Sequence, residues 1–174
     1  MPRFRRYHED GYPYFITTTV LDRRPLFQDA RLSSMLIDNP QFYRDRMKFA
    51  LHGYVIMPDH VHLLLTPRHP HTISDVMRNF KSYTSREAHR LLGVAGPLWQ
   101  SRFYDRAVRD EAQFRSALEY IHLNPVRAGL VEADGAYEFS SSRFWGKGKG
   151  PLALDHPDGR GWGRDLQTVV RSAG

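Results

Sequence analysis

FALHGYVIMPDHVHLLLT, Phe49 to Thr66, is the stretch on which the fold turns. Phe49 to Met57 is rich in aromatic and β-branched residues and reads as a strand. Pro58-Asp59 is turn chemistry. His60 to Thr66 reads as the next strand, and so short a join predicts an antiparallel hairpin. Strand side chains alternate, so His60 and His62 leave one face together with Leu64, with their Cα atoms roughly 6.5–7 Å apart. Val61, Leu63 and Leu65 leave by the other face, toward a core. Two imidazoles so placed can converge on one metal ion, though two polar residues on a wet strand face give the same pattern.

Upstream, Tyr12 to Leu21 reads as a strand, ended by Asp22-Arg23-Arg24-Pro25. Gln28 to Arg46 has helical spacing at Leu32, Met35, Leu36 and Ile37, and Asn39-Pro40 predicts a break. Downstream, Ile73, Val76, Met77, Phe80, Thr84, Ala88 and Leu91 form one helical stripe over 72–92. Thr72 or Ser74 can cap its start and Gly93 suits its end. Trp99 to Val108 reads as a fourth strand. Asp110-Glu111 opens a last helix with core stripe Phe114, Ala117, Leu118 and Ile121, and Pro125 is expected to stop it. A short segment, Tyr137 to Trp145, follows. The order strand, helix, hairpin, helix, strand, helix predicts an α+β fold, a ferredoxin-like antiparallel sheet with packed helices.

The 174 residues make one domain, 1–145, with a Gly-rich tail over 146–174. There is no cysteine, which removes disulfides, thiol nucleophiles and Cys-type zinc sites and fits a reducing cytoplasm. No apolar run of about 18 residues exists and the start lacks an apolar signal region, so neither a membrane span nor secretion is expected. A net charge of +6 favours a polyanion partner. Arg3, Arg5 and Arg6 form a basic arm beside Tyr7, and Arg78, Lys81 and Arg86 lie on the middle helix as candidate DNA contacts or a solvated face.

Tyr120 and Asn124 are four apart on the last helix and so are neighbours. Tyr120 lies about 120° from the centre of the buried stripe, at its border. It is a candidate nucleophile, or a tyrosine that buries its ring and wets its hydroxyl. Asn124 is a candidate ligand, or a residue that ends the helix before Pro125. His122 points elsewhere. A tyrosine can attack a phosphodiester, but its pKa near 10 makes ionisation at pH 7 cost about 4 kcal/mol. A divalent ion held by His60, His62 and an amide oxygen could lower that barrier.

GYVIMPDHVHLLL (Gly53 to Leu65) and LWQSRFYDRAVRDEAQFRSALEYIHLNPVRAGLV (Leu98 to Val131) resemble the two motif blocks of the single-tyrosine HUH transposases. Within these the chain is most similar to the bacterial REP-associated tyrosine transposases, over roughly residues 3 to 145. The resemblance implies Tyr120 as nucleophile, with His60, His62 and Asn124 as ligands to Mg²⁺ or Mn²⁺. It implies cleavage and rejoining of single-stranded DNA at REP-like hairpins through a 5′-phosphotyrosine, by a monomer or homodimer acting at the bacterial nucleoid in the cytoplasm. Two other readings stand beside it. One is a non-catalytic single-stranded nucleic-acid-binding module of the same fold, using aromatics such as Tyr83, Phe103, Tyr104 and Trp99. The other is hydrolysis by a metal-activated water.

Overall fold

The computed structural model describes residues 11–38 and 49–145. The Arg3, Arg5 and Arg6 arm, the second half of the segment expected to break near Pro40, and the Gly-rich tail lie outside the described residues. Four strands form one sheet: β1 (Tyr14–Thr19), β2 (Phe49–Ile56), β3 (His60–Pro67) and β4 (Tyr104–Ala107), in the order β2-β3-β1-β4. Every neighbouring pair is antiparallel. With α1 (Ala30–Asp38), α2 (Ile73–Leu92) and α3 (Glu111–Arg127), this is the expected α+β ferredoxin-like arrangement.

The sheet is covered on both faces, so each central strand is apolar on both sides. Tyr14, Ile16, Val61, Leu63 and Leu65 face one core with residues of α1 and α2. Phe15, Val55 and Leu64 face the second, with Phe114, Ala117, Leu118 and Ile121 of α3. Alternation therefore sends His60 and His62 to the α3 face. The hairpin closes as its sequence requires, with Met57 N–H donating to His60 O at 2.8 Å across Pro58-Asp59.

In α2 the buried stripe is the expected one, and Thr72 is the N-cap in a reciprocal box with Asp75. Gly93 ends the helix at φ 63°, a left-handed backbone that glycine takes without steric cost. Three expectations need correction. β4 has only 4 residues, Tyr104–Ala107, and upstream of it the pairing with the β1 side is reduced to one isolated antiparallel bridge, from Val20 to Trp99. Its indole N–H donates to Thr84 Oγ1 at 2.7 Å and its ring meets Phe27 and Phe80. The first strand is Tyr14–Thr19, because Leu21–Arg23 folds into a short 3₁₀ turn. Pro125 does not stop α3, which runs to Arg127. In a last turn a proline removes one backbone bond only, and its ring is buried here. Gly129, at φ 70°, is where the chain turns away.

A register shift between Leu51 and Gly53 interrupts the β2–β3 ladder and lets α3 approach. A Cβ on Gly53 would lie 2.6 Å from Leu118 Cδ1. The β2 edge is covered by the 137–145 segment, where Phe139 O accepts from Ile56 N–H at 2.9 Å and Ser141 Oγ accepts from Tyr54 N–H at 2.9 Å. Among the described residues no helix is long and apolar enough to cross a membrane.

Gly53→Ala should overpack the α3 seat and cost about 1–3 kcal/mol, read as a lowered urea midpoint at unchanged slope. The Asp75 carboxyl is held down at about 2, first by the Thr72 backbone N–H and then by the Thr72 hydroxyl. Its folded pKa is below the unfolded one, so its stabilisation is present above about pH 4 and lost as pH falls toward 2. Asp75→Asn should cost about 0.5 kcal/mol at neutral pH, the exposed setting keeping it small, and match wild type by pH 2 in acid-unfolding series.

Candidate functional site

The β1–β3 pairing places Thr17 directly opposite His62, and the β2–β3 pairing places Val55 on its other side. His62 is 4% exposed, and its ring lies 4.7 Å from that of His60 between centroids. Each imidazole is oriented by a neighbour. His60 Nδ1–H donates to Asp59 Oδ1 at 2.6 Å, since a carboxylate only accepts. Asn124 Nδ2 lies 3.4 Å from His62 Nε2, and Thr17 Oγ1 lies 2.8 Å from His62 Nδ1. With the amide donating to Nε2, the ring proton sits on Nδ1 and goes to Thr17. His60 thus turns its Nε2 lone pair away from Asp59, and the His62 Nε2 lone pair faces the Asn124 amide; Nδ1–H with a free Nε2 lone pair is the tautomer that a metal ligand needs. Burial, and then the nearby His60, push His62 down to about 3, so it is neutral at pH 7.

Asp59 itself is anchored by Arg23, whose Nη1 donates to its Oδ2 at 2.8 Å. Burial alone would raise this carboxyl, but the bonds and charges of His60 and Arg23 outweigh it and the net shift is downward. Arg23 reaches Asp59 from a turn in which Asp22 and Arg23 both have left-handed backbone, φ 57° and 53°. Residues with a side chain take that conformation at a cost, which the surrounding structure must hold.

α3 brings the other two candidates. Its cap, Asp110, accepts from Gln113 N–H at 2.8 Å, and its apolar stripe seats it on the sheet. Tyr120 stands at the border of that stripe, 41% exposed. Its ring is 5.3 Å from that of His62 and nearly perpendicular to it, at 79°. Phe15 joins the group: it stacks on His62 at 5.5 Å and meets the Tyr120 ring edge-on at 5.6 Å. The Arg127 guanidinium lies over the Tyr120 ring, 5.6 Å from its centre. Tyr120, His60, His62 and Asn124 thus gather within one chain on one face of the sheet.

Two imidazoles and an amide form a mixed donor set with room for oxygen ligands, which suits Mg²⁺ or Mn²⁺ better than a closed structural site. Among the described residues no group of three or more His, Cys, Asp or Glu could hold a metal. Turning the Asn124 amide over exchanges Nδ2 for Oδ1 at the same place.

Other candidates lie elsewhere. Arg78, Lys81 and Arg86 are on α2, which packs on the opposite face of the sheet. Arg78 pairs with Asp75 at 2.6 Å, Lys81 donates to Gln100 O at 2.7 Å, and Arg86 is exposed. His122 is held by Ser141 Oγ at 2.9 Å, and burial pushes it down to about 4. Sequence reasoning missed Thr17, Phe15, Asp59 and Arg127 as members of the site. Only Asp59 carries a local signal, its place beside His60, and the same position is turn chemistry with Pro58. The others become neighbours through strand register and helix docking.

The family described as "Transposase IS200 like" matches residues 10–124. A REP-associated tyrosine transposase of Escherichia coli is 28% identical over 141 residues, which is 81% of this chain and 82% of that protein. The solved structure of a REP-associated tyrosine transposase bound to a REP hairpin has the same fold, with a TM-score of 0.68 at 24% identity over 94% of this chain and 98% of that one. On the family match, which spans both the β3 histidines and the α3 tyrosine, the chain belongs to the IS200-like transposases.

Proposed function

We propose that this protein is a single-stranded DNA endonuclease and strand-transfer enzyme that cleaves and rejoins DNA at REP-like hairpins, with Tyr120 as nucleophile. The reading rests on one observation: a half-exposed phenol on α3 lies beside the β3 imidazoles, whose Nδ1 atoms are bonded to Asp59 and Thr17. The hairpin substrate is supported by similarity to the E. coli transposase and to the hairpin-bound structure. The location that follows is the bacterial cytoplasm, at the nucleoid.

Tyr120 Oη attacks the scissile phosphorus and the bond to the 3′ oxygen breaks. The phenol proton leaves and the 3′ oxygen takes one up, so one strand carries a 5′-phosphotyrosine and the other a free 3′-hydroxyl. Phosphodiester is exchanged for phosphodiester, so an incoming 3′-hydroxyl can reverse the step and rejoin a strand without an energy source. Nε2 of His60, Nε2 of His62 and the amide oxygen of Asn124 would hold Mg²⁺ or Mn²⁺. Such an ion, when bound, supplies positive charge to the scissile phosphate and the departing oxygen. Asp59 and Thr17 keep the two rings in the ligand tautomer. Phe15 walls the phenol on its inner side, and Arg127 places a cation where a phosphate backbone would pass.

Incubation with a labelled hairpin oligonucleotide from DNA flanking the gene, plus Mn²⁺, should give a label shift on a denaturing gel. Tyr120→Phe should abolish that shift. Binding with no adduct in wild type would instead identify a non-catalytic module, and cleavage surviving Tyr120→Phe would identify an activated water. Asp59→Asn should weaken Mn²⁺ binding about 10- to 100-fold in calorimetric titration while leaving the fold intact. Unchanged Mn²⁺ affinity would remove Asp59 as the support of a metal ligand.

A further inference from the structure

Beside the proposed nucleophile the sheet carries an exposed aromatic surface that the cleavage step does not use. Tyr104 opens β4, the edge strand, and lies opposite Thr17 in the β1–β4 register. Directly paired residues share a face, so Tyr104 stands on the face of His62 and Tyr120. It is 56% exposed, the most open of the large apolar side chains among the described residues. Its ring meets Phe15 edge-on at 6.3 Å, and Phe15 also meets Tyr120. Phe15 is thus a buried ring in contact with two exposed tyrosines. Arg106 is exposed two residues on, opposite Phe15 and therefore on the same face.

We infer that Tyr104 is the stacking platform for an unpaired base of the single strand next to the cleavage position, with Arg106 placed for its phosphate. The inference rests on the proposed DNA-cleaving function. A ring held on edge by Phe15 keeps its plane defined while one side remains open to solvent. A nucleobase offers the flat apolar partner that such a ring takes, and its phosphate offers the anion that Arg106 takes. Tyr104 and Tyr120 both contact Phe15 on this face, so a strand whose phosphate reaches the phenol can lay a neighbouring base on the Tyr104 ring. Stacking accepts any base face, so this subsite contributes affinity and position rather than sequence choice.

Fluorescence anisotropy with oligothymidylate and with an abasic deoxyribose-phosphate strand of equal length tests it. Both carry the same phosphates, so the electrostatic part of binding is common to them. Tyr104→Leu should weaken oligothymidylate binding at least about fivefold and leave the abasic strand unchanged, while Tyr104→Phe stays near wild type on both. Equal losses on the two strands, or no loss on either, would overturn the stacking role. Failure of the wild-type protein to bind either strand would overturn the stacking inference and leave the hairpin adduct assay to decide the cleavage function. Normal stacking results without any Tyr120 adduct would sink the cleavage chemistry alone.

Discussion

The ladder between β1 and β3 carries the site. Thr17 faces His62 across it, Phe15 lies diagonal to His62 and stacks on it, and Thr19 faces His60. A slip of one residue in this pairing would send both histidines into the α1/α2 core and Val61 and Leu63 toward α3. The register is secured because both faces are buried: Val61, Leu63 and Leu65 are 8% exposed or less on one side, and Leu64 is fully buried on the other. Hydrophobic burial along β3 therefore fixes where two polar rings stand, although neither ring contributes much to that burial.

Seating α3 is the second constraint. Phe114, Ala117, Leu118 and Ile121 bury one stripe of the helix, and Gly53 lets Leu118 come down onto β2. Tyr120 falls at the margin of that stripe, where a ring can touch His62 and Phe15 while its hydroxyl remains reachable from solvent. Asn124, one turn on, ends near His62 for the same reason. A helix rotated to bury Tyr120 would expose Ile121, so the phenol's half-exposure is a consequence of packing around it.

Support for the histidines comes from segments that do not look functional. Asp59 belongs to a hairpin turn whose backbone also holds Val20 through its carbonyl at 2.8 Å. The left-handed turn at Asp22 and Arg23 then points a guanidinium at the same carboxylate. The connection after β1, the hairpin turn and His60 are thereby tied into one unit, which orders His60 at the rim while His62 is ordered by burial.

Much of this was legible in the chain alone, where the physics is local. Period-two alternation in 60–66 put both histidines on one face, period 3.6 in 72–92 found the α2 stripe, and Thr72 and Gly93 announced its ends. The two motif blocks pointed to the family. What the chain alone misplaced were features decided by competition between distant groups. Trp99 has high strand propensity and still bridges Val20, yet its indole packs on Phe27 and Phe80 with Thr84 as acceptor, and the regular fourth strand begins only at Tyr104. Pro125 argued for a stop, yet its burial in the last turn offset one missing bond. Residue types and spacings thus determined which side chains could serve a phosphodiester exchange. Only the tertiary structure decided that Tyr120, His62 and Phe15 meet, because that depends on which strands pair, in what register, and how closely a helix can settle over a glycine.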